Sequence, residues 1–168
     1  NKNGLTGNTI TVLVSQSKGL LPSLSEFHYL KESNRFGISG TMQRYSLDLL
    51  PDVKLSRTTI RSKIDNDPKL RRVLNITSEM LQMREYWRHL DDEFKCTPDT
   101  LYKDIKDIGY DWDTLLDTRG WWTVNDSKHK VPFLSTMDLL RMRLPKSHPK
   151  HYVPYWYPKD KVKELKFK

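Results

Sequence analysis

Alanine is missing from this chain altogether, and cysteine occurs once, as Cys96. A single thiol excludes a disulfide framework within the chain and points to a reducing compartment. No run of apolar residues reaches the length of a membrane-spanning helix, about 18 residues. The glycines stand at 4, 7, 19, 37, 40, 109 and 120, with neither P-loop nor dinucleotide-binding spacing. There is no G-x-S-x-G elbow. Cys96 has no second cysteine with which to form a zinc pair. Asp104, Asp107, Asp111, Asp113 and Asp117 lack an EF-hand glycine, since Leu116 stands where it would fall. His148 and His151 flank Pro149 among lysines, whose charge disfavours a bound cation. The expectation is a protein that is not an enzyme, with no catalytic residues, no metal, no cofactor and no small-molecule substrate. Apolar residues make up only 36% of the 168, little for a self-sufficient globule.

Charge and aromatic rings are what the chain has in quantity. The net charge is +8 and the aromatic residues are 5 Trp, 8 Tyr and 5 Phe. The charge is segregated. Residues 1–77 carry 12 basic and 6 acidic residues, residues 78–127 carry 6 and 12, and residues 128–168 carry 11 and 3. A basic–acidic–basic chain suits phosphate contacts at both ends and a protein neighbour in the middle.

Thr9 to Ser15 (TITVLVS) is β-branched and apolar and predicts a strand. Pro22 to Lys31 predicts a helix behind an N-terminal proline, Asn34 to Gly40 a loop, and Thr41 to Leu47 a second strand. Ser56 reads as the cap of a short helix carrying Ile60 and Ile64. Val73, Ile76, Met80, Met83, Trp87, Leu90 and Phe94 recur at alternating spacings of 3 and 4, which predicts a helix from about 68 to 94 capped by Asp67-Pro68. Thr97-Pro98-Asp99 starts another helix, ended by Gly109, and the two together predict an αα-hairpin. Trp112, Leu115 and Leu116 add a turn, and Ser135 to Asp138 has capping-box form. From 145 onward, Pro145, Pro149, Pro154 and Pro158 alternate with Tyr152, Tyr155, Trp156 and Tyr157. Proline at these intervals predicts an extended segment that cannot bury its own aromatics, so that it is either disordered or, as its richness in aromatics favours, docked on another surface.

The expected class is therefore α+β, predominantly helical, with a small N-terminal strand-containing part, a long helix with a helical hairpin, and an extended C-terminal tail. The expected divisions are a basic α/β part at 1–66, an acidic helical hairpin at 67–127 and a basic tail at 128–168. Candidate RNA contacts are cations for phosphates and exposed rings for unpaired bases. In the first part these are Lys18, Lys31, Arg35, Arg44, Lys54, Arg57, Arg61, Lys63, Lys69, Arg71 and Arg72. In the tail they are Arg141, Arg143, Lys146, Lys150, Tyr152, Tyr155, Trp156, Tyr157, Lys159, Lys161, Lys163, Lys166 and Lys168.

The +8 charge, the SHPKHYVPYWYPKDKVKELKFK end and a first residue that is not methionine together resemble the mitochondrial ribosomal proteins. That resemblance implies a structural subunit in the mitochondrial matrix, with ribosomal RNA and neighbouring proteins as partners. Over residues 9–77 the order TITVLVS, PSLSEFHYLK, GTMQRY, SRTTIRSKI resembles the large-subunit ribosomal protein thirty family. That family requires a third strand near Val73 to Thr77, where the heptad seam predicts helix. An accessory subunit of a respiratory or other membrane-associated complex is the alternative left open.

Overall fold

The computed structural model of the chain describes residues 11–41 and 43–167. The start of the first predicted strand, Thr9-Ile10, and the candidate contact Lys168 lie outside the described residues. The class is α+β. Two antiparallel strands, β1 (Val14–Ser15) and β2 (Gly19–Leu20), form a short hairpin. The helix α1 (Pro22–Glu32) follows. An antiparallel meander comes next, made of β3 (Ile38–Thr41), β4 (Arg44–Leu47) and β5 (Leu50–Leu55). The rest is helical: α2 (Ile60–Asn66), α3 (Pro68–Tyr86), α4 (Pro98–Ile108), α5 (Trp112–Leu116), α6 (Thr136–Met142) and α7 (Lys159–Val162).

Capping residues set the helix starts. The Asp67 carboxylate accepts the Leu70 N–H at 3.1 Å with Pro68 at the first helical position, and Thr97 accepts the Thr100 N–H at 3.2 Å ahead of Pro98. These side chains satisfy amides that have no partner within the helix. Ser135 and Asp138 form the reciprocal capping box that opens α6. Gly109 closes α4 in the left-handed region at φ 104°, where a Cβ would be strained.

The seam holds along α3 through Val73, Ile76, Met80 and Met83, all buried. Residues 73–77 are helical, so the strand that the ribosomal family requires there has no counterpart. The helix then ends at Tyr86, short of the expected 94. Asp91, Asp92 and Glu93 would otherwise lie at the negative end of the helix dipole, an unfavourable place for carboxylates. The chain turns instead. Leu90 and Phe94 still reach the core, but Trp87 is 53% exposed. Eleven residues, 87–97, therefore separate α3 from α4, and the tight hairpin expected of them does not form. The packing partner of α3 is α1, with α2, α5 and α6 at its other contacts. The single strand expected over 41–47 is also corrected: Thr41 ends β3, a turn follows, and Arg44–Leu47 is β4.

The tail departs furthest from expectation. It turns back onto its own chain. Tyr157 is 2% exposed, its ring stands edge-on to Tyr110 at 5.1 Å, and its hydroxyl accepts the Asp111 N–H at 3.0 Å. Trp156 donates its indole N–H to the Phe133 carbonyl at 3.0 Å. Leu165 is buried, and the Lys166 N–H reaches the Ile108 carbonyl at 2.8 Å. The buried residues from Phe27 to Leu165 belong to one cluster. The prolines break regular structure, but they do not prevent the short turns that let rings reach a groove beside α4 and α5. Tyr157→Ala is therefore expected to destabilise the isolated chain by about 3–5 kcal/mol, the range for truncating a buried aromatic. Urea unfolding measures it, and a loss below about 1 kcal/mol would mean that the tail adds little to the fold.

Candidate nucleic-acid interface and a polar cleft

The acidic middle and the basic tail meet within the folded chain, mostly at its surface. Arg143 pairs with Asp104 at 2.8 Å and donates to the Glu93 carbonyl at 2.8 Å. His148 lies 3.1 Å from Glu93, Lys150 pairs with Asp91, Arg141 lies 3.6 Å from Asp138, and Lys161 lies 4.0 Å from Asp111. The ammonium of Lys150 draws the Asp91 carboxyl below its ordinary value. Lys146 stands over the Phe167 ring. Tyr152 and Trp156 are half-buried, whereas Tyr155 is 79% exposed. Lys159 and Lys163 are exposed without a carboxylate partner among the described residues. Much of the predicted tail interface is thus occupied by the chain's own acids.

The cations of the first part divide differently. Lys18 pairs with Asp65 at 2.6 Å, and Lys69 reaches Asp113 at 3.0 Å. Lys54 donates to the Pro51 carbonyl at 2.7 Å, and Lys63 donates to the Lys54 carbonyl. Arg71 caps α2, donating to the Ile64 and Asp65 carbonyls at 2.7 and 3.0 Å. Arg72 is buried. Arg35 lies over the Tyr45 ring, 5.7 Å from its centre. Arg44, Arg57 and Arg61 are exposed and make no ion pair among the described residues.

Arg57 and Arg61 share one surface feature. A cavity of about 580 Å³ opens between α1, β4 and α2. Leu13, Leu24, Phe27, Tyr45 and Ile60 line it with apolar surface, while His28, Lys31, Arg57 and Arg61 supply its polar lining. No carboxylate takes part. The Phe27 and Tyr45 rings stand edge to face, with centres 5.5 Å apart. An apolar recess with a cationic rim has the chemistry to hold an unpaired base while neutralising the phosphates beside it. The sequence shows the cations, but not that α1 brings Lys31 beside Arg57 and Arg61.

A second cavity, of about 490 Å³, lies across α1 and has the opposite character. Its walls carry Glu26, Arg71, Arg72, Asn75, Glu79, Gly120 and Trp121. The Asn75 amide donates to Glu79 at 3.2 Å and lies 3.5 Å from Glu26, and Thr136 donates to the other Glu79 oxygen. Arg72 donates to Asn75 Oδ1 at 2.7 Å, to the Leu134 carbonyl and to Thr118 at 3.4 Å. Burial pushes the Glu26 carboxyl up to about 7, with the Glu79 charge adding to the rise and Asn75, Ser78 and Arg72 opposing it. Burial likewise draws Arg72 down to about 10. No motif marks this cluster, because its members come from α1, α3 and the 118–136 segment. Among the described residues no three His, Cys, Asp or Glu gather as a metal site. No protein-family model, curated protein or solved structure matches this chain.

Glu26 holds its proton in the folded chain up to about pH 7 but ionises near its ordinary 4.5 when unfolded. Its protonation therefore contributes stability that is complete below pH 4.5 and lost as pH rises through about 7. Wild type should lose on the order of 2–3 kcal/mol more than Glu26→Gln between pH 4.5 and 7.5 in urea melts, and parallel pH profiles would refute this. At Gly120 a Cβ would fall on the Arg72 guanidinium and 2.7 Å from Asn75 Oδ1. Gly120→Ala should therefore destabilise the fold by about 1–3 kcal/mol, the range for overpacking, read as a lowered thermal midpoint.

Proposed function

We propose that the chain is an RNA-contacting structural constituent of a large ribonucleoprotein, and that it meets RNA chiefly through the face formed by α1, β4 and α2. The observation that carries this reading is the apolar cavity rimmed by His28, Lys31, Arg57 and Arg61, with no carboxylate in its lining. A net charge of +8 gives the long-range attraction to a polyanion. The resemblance to mitochondrial ribosomal proteins makes ribosomal RNA the expected ligand and the mitochondrial matrix the expected location. The tail has a smaller part in this proposal than its composition suggests, because Arg143, Lys150 and Lys161 face internal acids. Tyr155, Lys159 and Lys163 remain as its outward-facing contacts.

Binding to a labelled single-stranded RNA 20-mer across a salt series tests the reading. Removing two phosphate contacts with Arg57→Gln and Arg61→Gln should lower the slope of log affinity against log salt by roughly 1.4, at about 0.7 per contact. The same pair should weaken binding several-fold at 0.1 M salt. An unchanged slope would refute this interface. Sedimentation of the tagged chain with ribonucleoprotein particles, and its release by ribonuclease, tests the structural role itself.

A further inference from the structure

The segment from Arg119 to Phe133, between α5 and α6, is built inside out. Its two ends are tied to each other: the Arg119 N–H reaches the Pro132 carbonyl at 3.0 Å, and the Leu134 N–H reaches the Arg119 carbonyl at 3.0 Å. At its centre is a charge. The Arg119 guanidinium, with 3% of its side chain in water, donates to the carbonyls of Trp121 and Val131 and to the Asp126 carboxylate. Asp126 is the segment's one acidic residue and also accepts the Thr123 N–H at 3.3 Å. The apolar side chains take the outside. Trp121 and Trp122 are 64% and 63% exposed, Val124 is 90% exposed and Val131 is 47% exposed. A single exposed apolar residue is ordinary, but four on one pinned loop form a patch of the kind that a partner covers.

Shape and charge select the partner. Neither Trp122 nor Val124 lines the polar trough between α1, α3 and the 118–136 segment, or the recess beside it. These side chains stand proud of the surface and enclose no small molecule. Lys128, His129 and Lys130 are exposed on the same loop, and no carboxylate pairs with them among the described residues. With Asp126 neutralised by Arg119, the loop presents two lysine charges. A second turn stands beside it. Trp87, also exposed, borders the recess that Gly120 lines, and its neighbour Arg88 is exposed with no ion pair among the described residues. RNA is disfavoured, because Val124 and Val131 have no ring to stack on a base and Glu79 stands on the wall of that recess. An anionic bilayer surface meets all of these features. Indole rings settle at the level of the head groups, an aliphatic tip enters the acyl boundary, and ammonium and guanidinium groups meet lipid phosphates.

We infer that the 119–133 loop, with Trp121, Trp122 and Val124 on its outside and Lys128 and Lys130 beside them, is a docking surface for a membrane bearing anionic lipid. No helix among the described residues is long and apolar enough to cross a bilayer, and the contact is peripheral. None of these residues lines the RNA-facing cavity, so the two surfaces are tested separately.

The test is flotation of the full chain with phosphatidylcholine vesicles, with and without about 30% phosphatidylserine, at about 0.15 M salt. The chain should float with the anionic vesicles and not with the neutral ones. Lys128→Gln with Lys130→Gln should weaken that binding roughly 25-fold, about fivefold for each cation near an anionic surface. Arg57→Gln with Arg61→Gln makes the same change in net charge and should alter it by less than about twofold. Trp122→Ala with Val124→Ala should abolish flotation. A readout on the unaltered chain uses bicelles carrying a paramagnetic lipid. The indole N–H resonances of Trp121 and Trp122 should broaden, and that of Trp112, which is buried and donates to the Leu49 carbonyl, should not. Absence of flotation, an equal loss in the two charge variants, or a loss of RNA affinity in place of flotation in Trp122→Ala with Val124→Ala would overturn the assignment. Self-association of the chain that the same pair of substitutions abolishes would overturn it as well.

Discussion

Arg72 sits in the middle of α3 with 6% of its surface in water, and a charge so placed must find its acceptors inside the fold. It finds them on its own helix at Asn75, at the Leu134 carbonyl and at the Thr118 hydroxyl. Two of the three belong to the segment between α5 and α6, so the guanidinium fixes that segment against α3. Gly120 is needed there because a side chain would meet the guanidinium. Glu79 completes the junction by taking the Thr136 hydroxyl at the start of α6. Breaking such a buried set by removing one member costs about 3–5 kcal/mol, because the remaining groups are left without partners. A second buried cation, Arg119, extends the arrangement. Its donors go to the carbonyls of Trp121 and Val131 and to the Asp126 carboxylate. The loop that displays Trp121 and Trp122 is therefore held from beneath by one arginine and at its base by another.

The charge segregation along the sequence takes on a different meaning once the chain is folded. Acidic residues between 91 and 111 face basic residues between 143 and 161, and the contacts join segments 39 to 59 residues apart. Most of these pairs are exposed, and each alone contributes ~0.2–1 kcal/mol at best. Arg143 is different. It is half-buried, donates its Nε–H to Asp104 Oδ2 with Nη2 2.8 Å from the same oxygen, and reaches the Glu93 carbonyl as well, a charge-assisted contact stronger than an exposed pair. The acidic middle thereby acts as the landing surface for the basic end, and part of what reads as attraction to an outside polyanion is attraction of the chain to itself. Beside α1 and α2 the balance differs: Lys31 lies 3.7 Å from its neighbour Glu32, whereas Arg57 and Arg61 make no ion pair among the described residues.

How much of this was legible depended on whether the signal was local. Asp67-Pro68, Thr97-Pro98 with Gly109, and Ser135 with Asp138 were legible because a cap and its helix lie within four residues of one another. The seam was legible through Met83 because one face of one helix made it. It misled beyond that point because Leu90 and Phe94 are buried for another reason: the chain turns and brings them back to the core. The tail was misread because proline spacing reports only what the backbone disfavours. That Tyr157 finds Tyr110 and Asp111, 46 residues earlier for the hydrogen bond, is a long-range fact with no local mark. The same holds for Glu26, Arg72 and Glu79, which sit apart in sequence among ordinary surface-type residues.

Helix α1 shows why the two cavities differ so sharply. Leu24, Phe27, His28 and Lys31 are spaced i, i+3, i+4, i+7 and share one face, the one that borders the basic recess. Pro22, Ser23 and Glu26 lie on the other side and border the polar trough. Leu30, fully buried, is left to anchor the helix to the core. A helix that serves as a wall between two cavities has no broad apolar stripe, since both of its flanks carry polar groups. Its amphipathic signal in the sequence is weak for that reason, and its stability rests on packing against α3 more than on its own pattern. The junction around Arg72 then governs both surfaces. It holds α3, α3 holds α1, and α1 sets the distance between the cationic rim on one side and the glutamates on the other.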